Sequence, residues 1–254
     1  MIIKNDTDRA NLIEAGKRLA DVLRALRGAV APEVTSEELD DKAEELIRAL
    51  GDEPVFLGYT PEGAYRPYPA TLCVSINDEV VHGIPNESKK ILKKGDIVGL
   101  DLGLAHKGII VDAAITVPVG QTDDETKRLL YATEEALRAG IERAVIGNHI
   151  GDISHAIAET IENAGFKVVK SLGGHGVGAY VHEEPFIPNY GRAGTGSVLS
   201  EGMVLALEPI SSAGKAAVIL APDGYTYKTK DGSRSAHFEH TILIEKDGPR
   251  IITG

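Results

Sequence analysis

IVGLDLGLAHKGIIVDAAITV, residues 97 to 117, alternates as two strands around a turn near His106-Lys107-Gly108 and reads as an antiparallel hairpin. With His106-Lys107 as a two-residue loop, Asp101 and Asp112 face each other across the strands, with Cβ atoms roughly 4.5–5.5 Å apart. Val98, Leu100, Leu102 and Leu104 point to the opposite face, while Gly99 and Gly103 leave open space beside the acid. Like charges held this way in an apolar hairpin repel. A solvated edge, a shared proton, or a cation that keeps both carboxylates ionised would each relieve the repulsion.

Helical patterns lie on both sides of the hairpin. Residues 6 to 28 carry Leu12, Leu19, Val22, Leu23 and Leu26 at helical spacing, with Asp6 or Thr7 available to cap the first amides. Thr35-Ser-Glu-Glu38 has capping-box form and opens a second helix running to about Gly51. Residues 124 to 146 predict a third helix, and a Gly-containing break leads through Asp152 to a fourth ending near Gly165. Strand-rich segments, 71 to 120 and 167 to 244, follow the two pairs. This order predicts an α+β fold with antiparallel strands and points to an ancestral duplication. No Pro/Gly/Ser-rich linker divides residues 1 to 254, which read as a single domain.

Composition narrows the class. Against 27 Lys and Arg stand 38 Asp and Glu, a net charge of −11, so no specific nucleic-acid site is expected. Cys73 is the one cysteine of 254 residues and has no intrachain partner, which fits a reducing compartment. The start, MIIKNDTDRA, lacks a signal-peptide pattern and no run reaches the length of a membrane span, so the expectation is a cytoplasmic protein without membrane contact.

Further polar residues sit in similarly apolar or glycine-rich settings. GGHGVGAYVHEEP places His175 among glycines that permit close approach of backbone or ligand, with His182 seven residues on. No Lys-Ser/Thr follows this stretch, and no dinucleotide fingerprint opens a βαβ unit, which argues against phosphate binding. A backbone-satisfied imidazole and a metal ligand are both open readings of His175 alone. Glu208 ends the apolar run from Met203, and Glu239 lies in Ala236-His-Phe-Glu-His-Thr-Ile. Carboxylates in buried strands are costly without a counter-charge. Two Asp, two Glu and a His suffice for a pair of divalent ions bridged by carboxylates. His82, between a valine pair and Gly83, adds an imidazole at a strand end and reads equally as a turn residue.

The order and spacing of these elements resemble the type I methionine aminopeptidases. The resemblance rests on SINDEVVHGIP with His82, the step from Asp101 to Asp112, GGHGVG with His175, then His182, LEP with Glu208 and FEHT with Glu239. It covers nearly the whole chain. It implies a pita-bread fold, a curved antiparallel sheet with internal pseudo-twofold symmetry covered by two helix pairs. It implies two divalent metal ions (Co, Mn, Fe or Zn): Asp101 on one, His175 and Glu208 on the other, Asp112 and Glu239 bridging. The implied activity removes the initiator methionine from nascent proteins and peptides, preferring a small second residue, by attack of a metal-bridging hydroxide on the scissile carbonyl. Glu208 would move protons, His182 would bind the carbonyl oxygen and His82 would contact substrate near the peptide nitrogen. The methionine pocket would include Tyr65 or Tyr68, Cys73, Val181 and Tyr225. Transient ribosome contact and a monomeric state are further expectations of this kind.

Three positions depart from the commonest family pattern: Val181 where Phe is usual, Tyr225 where Trp is usual, and Ala113 where a hydroxyl residue follows the aspartate. A proline-directed hydrolase of the same fold would share all five ligands but normally carries an extra N-terminal domain, whereas the pattern here begins near residue 6. A noncatalytic peptide-binding relative is the other alternative, and retention of every ligand argues against it.

Overall fold

A computed structural model describes residues 1–254. Four helices form: α1 (Asp6–Ala29), α2 (Ser36–Ala49), α3 (Asp124–Arg143) and α4 (Ile150–Asn163). The expected capping box holds for α2, where Thr35 and Glu38 satisfy each other's backbone amides. Helix α1 is capped by Asn5 rather than Asp6 or Thr7: its side chain accepts from Asp8 N at 2.8 Å, one turn inside the helix. Helix α3 ends at Arg143, three residues short of the expected limit, because the chain turns through Gly147 and its neighbours bond to residues 197–199. Helix α4 starts at Ile150, and Asp152 caps it from within by accepting from His149 N. No helix is long and apolar enough to cross a membrane.

The main sheet has nine antiparallel strands. Its spine runs through the strands at 53–54, 97–106, 109–118, 239–245, 204–207, 173–176 and 183–188, with 72–76 added beside 97–106 and 248–251 beside 239–245. Each helix pair covers half of one face. Leu100, Leu102, Leu104, Val111 and Ala113 pack under α1 and α2 in one core, and Leu205, Leu207, Ile242 and Ile244 pack under α3 and α4 in another. Each fully buried leucine or isoleucine there contributes roughly 1.5–3 kcal/mol. The opposite face carries the polar residues, as the alternation around Asp101 predicts.

The two halves meet between the 109–118 and 239–245 strands, and the ladder there is short: Glu239 pairs Ala114 and His240 pairs Ala113. Threonines extend it. Asp112 N–H donates to Thr241 Oγ1 at 2.9 Å and Thr241 Oγ1–H donates to Asp112 O at 2.7 Å. Thr116 makes the same pair of bonds with His237, at 2.9 and 2.7 Å. The clamps lie on either side of the Glu239–Ala114 pair and exchange under the twofold that relates the halves. Thr241→Val strands two buried backbone groups of Asp112 and is expected to cost roughly 2–4 kcal/mol, with Thr241→Ser close to wild type. Urea denaturation of both variants checks this; a valine variant as stable as the parent would show that the clamp contributes nothing.

Candidate metal centre and active site

The hairpin turns at Lys107-Gly108, whose φ values are +49° and +79°. A primed two-residue turn needs positive φ at both positions, and glycine at the second meets that need where His106-Lys107 would not. The ladder therefore pairs Asp101 with Ala114 and Asp112 with Gly103, so the carboxylates are diagonal rather than directly opposite. Moving the turn by one residue moves each partner by two, which keeps both acids on one face. Glu239 continues the row, opposite Ala114 on the next strand. The Ala114 methyl separates Asp101 from Glu239, strands roughly 9–10 Å apart, and leaves the gap across which both side chains reach. The space expected beside Gly103 is taken: a Cβ there would meet Val55 at 2.6 Å and Phe56 at 3.0 Å.

His175 enters from the 173–176 strand, opposite Ala206. Its Nδ1 lies 2.9 Å from the Gly176 carbonyl, which only accepts, so Nδ1 carries the proton and Nε2 presents a lone pair. That Nε2 is 3.8 Å from Glu208 Oε1. The flanking glycines serve the backbone rather than a ligand, since a Cβ on Gly174 or Gly176 would stand 2.3 Å from the carbonyl of Ala206 or Glu184. Glu208 follows the 204–207 strand, and Asn189 Nδ2 holds its backbone oxygen at 2.8 Å. Donor atoms of Asp112, His175 and Glu239 all lie within 4.8 Å of one another, and Asp101 and Glu208 line the same cavity.

The residues present fit a divalent metal centre. Asp101 Oδ1, Asp112 Oδ1 and Glu239 Oε1 are buried without a hydrogen-bond partner, a costly state for acceptors that no cation serves. Burial, reinforced by the neighbouring carboxylates, pushes Asp101, Glu208 and Glu239 far above the usual carboxylate range, and burial raises Asp112 as well. Burial lowers His175 to about 3, so its imidazole stays neutral and able to ligate.

His237 was not singled out from the sequence and belongs to this cluster. Its Nε2, also buried without a hydrogen-bond partner, is 3.5 Å from Glu208 Oε2 and 3.7 Å from Glu239 Oε2. Its position two residues before Glu239 on an extended segment was the available signal, since that spacing shares a face.

Above the acids lies an apolar pocket. Phe56, Tyr68, Cys73, Val181 and Tyr225 form its walls, with Ala70 and Ile84 behind. Of the two tyrosines expected, Tyr68 lines the pocket, its ring edge-on to Tyr225 at 5.2 Å. Tyr65 is 96 % exposed and lies outside it, carried away on the loop between Tyr59 and Tyr68. Phe56, Tyr59 and Pro61 join the lining without having been anticipated. Ala113 packs in the helix-side core, so the hydroxyl it lacks removes no contact from this face.

His82 and His182 stand at the mouth. His82 has φ +58°, a left-handed turn that brings the chain back to the 72–76 strand, where Val74 N–H donates to Gly83 O at 2.8 Å. Burial lowers His82 to about 4. His182 sits edge-on to His175 at 4.5 Å, and its Nδ1 is 2.8 Å from the Tyr59 hydroxyl.

Comparison with known proteins adds an independent line. The model of metallopeptidase family M24 matches residues 10–246. A methionine aminopeptidase of Aquifex aeolicus is 46% identical over 242 residues, covering 94% of this chain and 93% of that protein. Methionine aminopeptidase 1 of Mycobacterium tuberculosis is 45% identical over 245 residues, 94% of this chain and 90% of that one. The crystal structure of methionine aminopeptidase from Thermotoga maritima superimposes with a TM-score of 0.94 at 44% identity, covering 100% of this chain and 99% of that chain. Prolidase from Pyrococcus horikoshii shares the fold, with a TM-score of 0.76 at 23% identity over 63% of its own length.

Proposed function

The chain belongs to metallopeptidase family M24, and from that premise we propose that it releases the N-terminal methionine of peptides and nascent proteins, with residues 1–254 acting as one catalytic unit. It is a metal-dependent hydrolase of the pita-bread fold. The observation that carries the reading of the site is the group of three buried carboxylates, Asp101, Asp112 and Glu239, with the partly buried Glu208 and His175 Nε2, at the floor of a pocket with apolar walls.

Asp101, Asp112, His175, Glu208 and Glu239 would hold two divalent ions, Co, Mn, Fe or Zn. Such ions supply Lewis-acid polarisation of the scissile carbonyl and a water acidic enough to serve as nucleophile near neutral pH. The chain's own groups do the rest. The pocket takes the unbranched thioether, whose flexibility and polarisability suit walls of Phe56, Cys73, Val181 and Tyr225. Glu208, at the edge of the acid cluster, takes the proton of the attacking water and delivers it to the leaving amine. His182 donates to the carbonyl oxygen as negative charge develops there. His82, neutral across the physiological range, faces the peptide nitrogen and crowds a bulky second residue.

A substrate panel tests this reading. The metal-loaded protein is expected to release methionine from Met-Ala-Ser, to cut Met-Trp-Ser at least about a hundredfold more slowly, since a clash at the reacting centre costs orientation, and to leave Ala-Pro-Ala intact. Cleavage of the Ala-Pro peptide instead would favour the proline-directed reading. No cleavage of any peptide by metal-loaded protein would favour a binding module.

A further inference from the structure

His182 has two ring nitrogens, and one is engaged by the protein. Its Nδ1 lies 2.8 Å from the Tyr59 hydroxyl, with the rings 5.4 Å apart and tilted by 55°. Tyr59 is held on both sides of its own peptide: its N–H donates to Phe56 O at 3.0 Å and its carbonyl accepts from Tyr68 N at 2.8 Å. Tyr68 is itself buried, its hydroxyl placed between the carbonyls of Leu72 and Gly83 at 3.3 and 3.0 Å. On its other side the His182 ring meets His175. These bonds hold the main chain of Tyr59, and its hydroxyl meets the His182 imidazole at the exposed edge of the pocket.

With Nδ1 occupied, Nε2 is the nitrogen left to meet a substrate. A neutral imidazole carries one proton, and a carbonyl oxygen only accepts. Were the proton on Nδ1, Nε2 would present a lone pair to that oxygen and repel it. We propose that Tyr59 is a positioning residue whose O–H donates to Nδ1 of His182 and fixes the tautomer with its proton on Nε2, available to the substrate carbonyl. The assignment rests on the reading of His182 given under Proposed function. It gives the two histidines opposite tautomers: the Gly176 carbonyl, which only accepts, holds the proton of His175 on Nδ1, leaving Nε2 free to ligate, and the Tyr59 hydroxyl, able to donate or accept, acts as the donor to His182 Nδ1 and leaves that proton on Nε2.

Tyr59→Phe removes the hydroxyl and keeps the ring. In the manganese-loaded enzyme kcat for Met-Ala-Ser should fall about tenfold, a part of the loss that follows removal of an oxyanion donor, with KM and melting temperature nearly unchanged. In a His182→Ala background the same substitution should cost nothing further, because the two residues act as a unit. Nitrogen-15 spectra of the histidine side chains in zinc-loaded protein, with the His182 signals identified by their loss in His182→Ala, should show Nε2 protonated in wild type and a mixture of tautomers in Tyr59→Phe. A proton on Nδ1 in wild type, full kcat in Tyr59→Phe, or an equal cost in both backgrounds would each overturn the proposal. The spectra need no substrate: a wild-type protein that releases no methionine would count against the functional reading, while the tautomer would still be read directly.

Discussion

Glu208→Gln is expected to lower kcat for methionine release from Met-Ala-Ser by about a thousandfold, the middle of the range for loss of a general acid–base group. The amide is nearly the same size as the carboxylate, so packing at the end of the 204–207 strand persists, and the Asn189 bond is to the backbone oxygen and survives. What is lost is a proton carrier and one anionic ligand. Burial beside Asp101 and Asp112 holds the Glu208 carboxyl far above its ordinary range in the metal-free fold, and bound metal ionises it, leaving a carboxylate able to take a proton and pass it on. Glutamine has no such state. The variant should melt near the wild-type temperature and should still bind metal through Asp101, Asp112, His175 and Glu239. Circular dichroism, metal analysis and single-turnover assays separate these effects. Undiminished turnover in a folded, metal-loaded variant would remove Glu208 from the proposed chemistry; loss of turnover with loss of all metal would make it a structural ligand alone.

The legible part of this site was the part written in period-two alternation. Asp101 and Asp112 are on one face because the strands that carry them alternate cleanly, and that conclusion survived a wrong turn. The turn itself was misread because His106-Lys107 and Lys107-Gly108 are both two-residue loops; the demand for positive φ at both positions decides between them, and a glycine at the second meets it. Glycines were misread in another way. Gly103 looked like open space, yet Phe56 and Val55 arrive from a segment distant in sequence and fill it. Tyr65 and Tyr68 were indistinguishable for a similar reason: the loop from Tyr59 to Tyr68 has no periodicity, and only its closing bonds between residues 58, 59 and 68 show which ring turns inward. Tyr59 itself gave no signal, because its partner lies beyond residue 180. His237 did have one, two residues from Glu239, but a histidine next to an acid in an apolar run has too many ordinary explanations to stand out.

Removing the metal should make stability fall as pH rises above 7, and restoring it should cancel most of that fall. The carboxyls of Asp101, Asp112, Glu208 and Glu239 are raised by burial, and all but Asp112 further by neighbouring carboxylates, whereas in the unfolded chain they ionise near pH 4. The folded, metal-free protein thus keeps protons that the unfolded chain has lost. Stability from these groups is complete below about pH 4 and is lost as pH climbs through the folded values. The buried histidines work in the other direction: His82 at about 4 and His175 and His237 at about 3 stabilise the fold above about pH 6.5, and that contribution goes as pH falls. Well above their unfolded pKa of about 6.5 they are nearly neutral in both states, so towards pH 8.5 the slope comes from the carboxyls, joined by the Cys73 thiol that burial also raises, at about 1.4 kcal/mol per pH unit for each proton retained. Divalent ions need the ionised carboxylates, so binding displaces those protons and strengthens as pH rises. At about a hundred times Kd, metal adds about 2.7 kcal/mol, and the increment should be larger at pH 8.5 than at pH 7. Thermal melts of chelator-treated and manganese-loaded protein at both pH values measure the difference, and calorimetry in buffers of different ionisation enthalpy counts the protons released. A metal-free protein equally stable at the two pH values, with no proton release on loading, would mean that the acids are already ionised in the apo fold and that repulsion among them is relieved by something other than a bound cation.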